Sequence, residues 1–104
     1  MNHVTLENFS PCVARNMRLL ARSRNMALYE LQNNVIGDFL AENSSEKIDY
    51  EVSCSTEKNR YNAFVDDHVL TMIRHRSSMD RRTNADVVLA ALVSFARRHG
   101  LDSD

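Results

Sequence analysis

An α+β fold, mostly helical, follows from three features of the sequence. Gly 2 and Pro 1 in 104 residues leave too few turn formers for a β-sandwich or barrel. Apolar residues recur at helical spacing over four stretches, and the period drops to two between positions 48 and 65. The predicted architecture is two helix pairs flanking a short β-hairpin in one domain: a helical pair over 1–43, the hairpin over 48–65 and a second helical pair over 66–99. A hydrophobic fraction of 43% and a net charge of -1 exclude wholesale disorder.

Near the N-terminus, Val4, Thr5 and Leu6 form a short strand pattern. Ser10 followed by Pro11 is a helix start, because a serine caps the first turn and proline's missing N–H costs nothing there. Val13, Met17, Leu20 and Ala21 continue it as a helix over 11–24. Leu28, Leu31, Val35 and Phe39, with Ile36 and Leu40, give a second helix over 27–42. Ile48, Tyr50, Val52 and Cys54 then alternate with Asp49, Glu51 and Ser53 as a half-buried strand. After a polar loop over 55–59, residues 60–65 alternate again, and the two runs are predicted to pair as a hairpin.

Asp66 and Asp67 place capping oxygens and favourable charge at the start of a third helix, with Val69, Met72, Ile73 and Met79 on its apolar face. Asp80, Arg81 and Arg82 break that helix. Thr83 with Asp86 three residues on makes a near capping box for the last helix, 84–99. That helix is apolar on nearly every side, which predicts a central core helix or a subunit interface. Gly100 ends it. A shift of 56 positions lays Val13 on Val69, Arg18 on Arg74, Leu31 on Val87 and Phe39 on Phe95, a shared pattern that either a duplication or helical periodicity alone produces.

The 13 basic and 14 acidic residues are segregated. Arg15, Arg18, Arg22 and Arg24 lie in a stretch without acids, seven carboxylates from Glu30 to Glu57 oppose Lys47 alone, and a second basic block holds Arg74, Arg76, Arg81 and Arg82 around His75. Such blocks read either as solvated helix faces or as phosphate-binding surfaces.

In order, lengths and the Thr83 cap, residues 60–99 resemble the ribbon-helix-helix family of the Met and Arc repressors. The resemblance implies that a two-stranded ribbon enters the DNA major groove, with Arg60, Asn62 and Phe64 outward and Tyr61, Ala63 and Val65 toward the helices. Arginine and asparagine are side chains able to hold guanine and adenine. The resemblance also implies a phosphate held at the start of the second helix by Thr83 and Asn84, where free N–H groups favour an anion, with Arg81 and Arg82 adding charge. If the first half is a second unit, its strand falls near positions 4–8, Glu7 sits poorly against phosphate, and its second helix has no Thr or Ser cap. Otherwise the first half is a separate helical pair covering the hairpin.

Enzymatic chemistry finds no support. His3, His68, His75 and His99 lack metal-ligand spacing, no nucleophile motif occurs, and Cys12 and Cys54 read as reduced thiols. No catalytic residue, cofactor or metal is therefore expected. The expected function is a small sequence-specific DNA-binding regulator, a repressor-like partner of double-stranded DNA, self-associating through its last helix or forming an intramolecular pseudo-dimer. The alternative is a protein-protein interaction module, an adaptor, inhibitor or chaperone that binds another protein through its apolar last helix and acidic hairpin. A third idea places a helix-turn-helix in 11–41. Lacking an apolar run of about 18 residues and a signal-peptide pattern, the chain is expected to be cytoplasmic, with no membrane partner.

Overall fold

The computed structural model describes residues 2–51 and 59–102. Its elements are β1 (Asn2–Leu6), α1 (Pro11–Ser23), α2 (Leu28–Glu42), β2 (Tyr61–Val65), α3 (Asp67–Asp80) and α4 (Asn84–Arg98). The fold is α+β and mostly helical, and among the described residues one order of strand, helix, helix occurs twice. Helix starts lie 56 positions apart, at 11 and 67 and at 28 and 84, whereas strand starts lie 59 apart, at 2 and 61. The extra residues in the first half are in the connection 7–10 between β1 and α1, where the second half has Asp66 alone.

Local chemistry explains the helix boundaries. The Ser10 hydroxyl accepts from the Val13 N–H at 3.3 Å with Pro11 in the first turn, and the Asp66 carboxylate accepts from the Val69 N–H at 2.8 Å. Thr83 and Asp86 form a full capping box, hydroxyl to Asp86 N–H at 3.0 Å and carboxylate to Thr83 N–H at 3.3 Å. α1 and α3 then end in the same turn. Asn25 and Arg81 each adopt φ 56°, the Met26 and Arg82 N–H groups donate back to the Ala21 and Ser77 carbonyls, and the Asn25 and Arg81 N–H groups donate to Arg22 and Ser78. This Schellman pairing lets a left-handed residue close the helix without a glycine. Gly100, at φ 66°, closes α4 as expected.

Among the described residues the predicted hairpin does not form. Residues 48–51 are not in a strand, and 52–58, which hold the rest of the first predicted strand with Cys54 and most of its loop, lie outside the described residues. β2 instead pairs antiparallel with β1, with Val4 opposite Ala63 at the centre of the register. The alternation from Ile48 to Glu51 has another cause. Ile48 is buried in the core while Tyr50 reaches across to the end of α3, where its hydroxyl donates to the Asp80 carboxylate. β1 supplies what β2 needs, Val4 and Leu6 on the same buried face as Ala63 and Val65.

One core joins the two halves. Val4, Leu6, Phe9, Met17, Leu31 and Ile36 cluster with Ala63, Val65, Ile73, Val88 and Leu92. Phe9, fully buried in the longer β1–α1 connection, stacks on Tyr61 at 4.4 Å between ring centroids. The last helix buries Val87, Val88, Ala90, Ala91, Leu92, Val93 and Ala96 against α2, α3 and β1. Its apolar side is thus used within the chain. Met79, expected on the apolar face of α3, is 56% exposed, off the face on which Val69, Ile73, Arg76 and Ser77 are buried.

Arg76 departs from the basic block in which the sequence places it. Only 6% exposed, its guanidinium donates to the Asn43 and Glu46 carbonyls just past α2 and pairs with Asp80 at 2.7 Å. It fastens the segment leaving α2 to α3 and offers little to solvent. Among the described residues no helix is long and apolar enough to cross a membrane.

Candidate nucleic-acid interface

Period two divides the ribbon into two faces. Val4, Leu6, Ala63 and Val65 are buried, while His3, Asn62 and Phe64 are exposed and Thr5 is partly so. The antiparallel register sets His3 opposite Phe64 and Thr5 opposite Asn62. The Thr5 hydroxyl donates to the Asn62 side-chain carbonyl at 2.8 Å, and the His3 and Phe64 rings lie 6.1 Å apart, tilted by 52°. Side chains from both halves of the chain therefore form one outward strip. Asn62 and Phe64 stand where the sequence places them, and Arg60 is exposed just ahead of β2.

A buried amide holds this strip in place. Gln32 on α2, 1% exposed, donates to the Tyr61 hydroxyl and accepts from the Phe64 N–H at 3.0 Å. Its neighbour Asn33 accepts from the Asp66 N–H at 2.9 Å and donates to the Asp66 carboxylate at 3.0 Å. The outer edge of β2 is thereby tied to α2, and the backbone that carries Phe64 is fixed. Burial raises the Tyr61 hydroxyl above its usual range, opposed by the Gln32 hydrogen bond and by the Arg18 charge.

The second group of predicted site residues surrounds the α3–α4 turn. Arg81 and Arg82 are exposed, and the Arg82 guanidinium lies 4.8 Å above the Tyr50 ring centre. The Asn84 side-chain carbonyl accepts from the Ser77 hydroxyl at 2.9 Å. At the start of α4 the capping box occupies the Thr83 and Asp86 N–H groups and sets the Asp86 carboxylate there, a charge that opposes an anion beside the Asn84 and Ala85 N–H groups, which the box does not use. The corresponding start of α2 differs. Its cap residue, Ala27, makes no side-chain capping bond, and Arg18, Arg22 and Asn25 line a hollow there together with Glu30.

His3 and Thr5 are outward-facing residues that sequence reasoning left out. Their signal is only the alternation of His3, Val4, Thr5 and Leu6, too short to set the strand's register. The first strand lies at Asn2–Leu6, not near 4–8, so Glu7 falls beyond the ribbon, where its carbonyl accepts from the Asn59 N–H at 2.9 Å.

Elsewhere, a cleft of about 360 Å³ between α2 and α4 mixes Phe39 and Phe95 with Asp38, Glu42, Arg24 and Arg98. Its charges are of both signs, with Arg98 and Glu42 paired at 4.0 Å. Among the described residues no group of three His, Cys, Asp or Glu side chains converges on a metal-sized site. Comparison with family models, with curated proteins and with solved structures finds no match to the chain.

Proposed function

We propose that this protein is a small sequence-specific DNA-binding regulator in which a single chain supplies both halves of a ribbon-helix-helix unit. The observation that carries the proposal is the pairing of β1 with β2, because it assembles an outward strip of His3, Thr5, Asn62 and Phe64 on a ribbon backed by α2 and α4. A two-stranded ribbon fits the major groove. Its side chains offer the matching chemistry: amide and imidazole groups for base edges, a hydroxyl adaptable to either partner, and an aromatic surface for a thymine methyl. Arg60, exposed just ahead of β2, adds a guanidinium able to hold guanine, while Arg81, Arg82 and the exposed Arg18, Arg22 and Arg24 supply phosphate contacts that position the protein without reading sequence. Arg76 is excluded from that set by its burial.

The test is duplex binding measured over a range of salt concentrations, since phosphate contacts release counterions and affinity must fall steeply as salt rises. Arg60→Ala together with Asn62→Ala should keep the helical circular dichroism and the salt slope's sign while relaxing sequence preference. Each lost base contact is worth about 1–3 kcal/mol of discrimination. Unchanged preference in that pair of substitutions would remove the ribbon from the account.

A further inference from the structure

We infer that the DNA site taken by this ribbon lacks dyad symmetry and is filled by one chain. The inference rests on the DNA-binding reading above and adds what kind of duplex that surface fits. Pairing two identical strands antiparallel makes a two-fold axis, so each outward side chain has an identical mate and the matching DNA is an inverted repeat. Here the axis would pass through the Val4–Ala63 pair, making His3 the mate of Asn62 and Thr5 the mate of Phe64. Neither pair matches in chemistry. Asn62 presents a donor and an acceptor side by side, His3 a ring with its two nitrogens apart, Thr5 one hydroxyl, and Phe64, 41% exposed, no hydrogen-bonding group.

On an inverted repeat, the same base edges would meet an amide on one side and an imidazole on the other, a hydroxyl on one side and a phenyl ring on the other. A poorly matched contact of this kind forfeits roughly ten-fold to a hundred-fold in discrimination. The flanks are unlike as well. α4 begins with a capping box that includes the Asp86 carboxylate, whereas α2 begins after Ala27, which has no capping side chain, beside Arg18, Arg22 and Glu30. The β1–α1 connection also holds the buried Phe9 and is longer than its counterpart after β2. No second chain is needed to complete the ribbon, because β1 already pairs with β2 and the apolar side of α4 is covered.

The experiment is selection of binding sequences from randomised duplexes by the full chain, followed by the mass of the complex with the recovered duplex. A single motif without an inverted repeat, bound by one chain, is expected. The variant H3N/T5F, which makes the two outward sets alike, should recover a motif that has gained inverted-repeat character. His3→Asn alone serves if the double variant does not fold. An inverted repeat bound by two wild-type chains overturns the inference while leaving DNA binding intact. An unchanged motif with the folded variant overturns the assignment of asymmetry to the ribbon. Recovery of no motif by either protein overturns the DNA reading itself, and this inference with it.

Discussion

Asn25 and Arg81 hold the same left-handed backbone, φ 56° at each, at the same step of the turn that ends the first helix of each half. The two residues do not tolerate it equally. Asparagine enters this region at modest cost, whereas arginine meets the clash between its Cβ and the backbone that only glycine avoids. Arg81→Gly should therefore stabilise the fold by about 1 kcal/mol, and Asn25→Gly should change it by only a few tenths. Urea denaturation of the two variants measures both. Because Arg81 is also a proposed phosphate contact, the same variant should be more stable and bind duplex less tightly, separating fold from function.

Gln32 is the amide on which the outward strip depends. Gln32→Leu fills the same space but leaves the Phe64 N–H and the Tyr61 hydroxyl without their buried partner. Each unsatisfied group costs roughly 1–3 kcal/mol, so a loss of about 2–4 kcal/mol is expected. Amide exchange should show the Phe64 N–H losing protection more than the N–H groups of α1.

Much of the helical half of this fold was legible before the structure. Ser10–Pro11, Asp66 and Thr83 with Asp86 announce three helix starts because capping is local chemistry, read from neighbours in sequence. The ribbon was not legible in the same way. β1 is short, its partner lies in the other half of the chain, and the alternation from Ile48 to Glu51 arises from a segment whose Tyr50 reaches the end of α3, not from a strand. Asn62 and Phe64 could be placed by alternation within β2, but His3 and Thr5 needed the register. Arg76 was misplaced because charge patterns cannot distinguish an exposed guanidinium from one bonded to carbonyls past a helix end.

Arg76→Met keeps the aliphatic bulk but strips the Asn43 and Glu46 carbonyls of their donor. The expected cost is about 2–3 kcal/mol. Proteolysis should become faster in the segment after α2, which the guanidinium otherwise holds to α3. A variant as stable and as protease-resistant as the wild type would show that this anchor is dispensable.

Stability should depend on pH at both extremes. The Tyr50 hydroxyl and then Arg76 hold the Asp80 carboxyl below its ordinary range, and the Val69 N–H and Asn33 hold Asp66 below it too. Both carboxylates contribute stability above the unfolded value of about pH 4, and that stability is lost as pH falls through their lower folded values. Asp80→Asn should flatten that acid limb. At the other end, burial and then the Asp80 hydrogen bond push Tyr50 up to about 12. The folded state keeps its proton while the unfolded state loses it, so stability falls between pH 10 and about 12. Tyr50→Phe should reduce this alkaline loss, leaving the part due to the buried Tyr61, and should remove one late-titrating phenol from the ultraviolet spectrum.

The central claim, that the outward strip made by β1 and β2 is the surface that meets DNA, is tested most directly by nuclear magnetic resonance of the isotope-labelled full chain titrated with its selected duplex. The account predicts the largest side-chain and amide shifts at His3, Thr5, Asn62 and Phe64, with smaller ones at Arg60, Arg81 and Arg82. Shifts that spare the ribbon and gather instead around Phe39 and Phe95 in the α2–α4 cleft would contradict it.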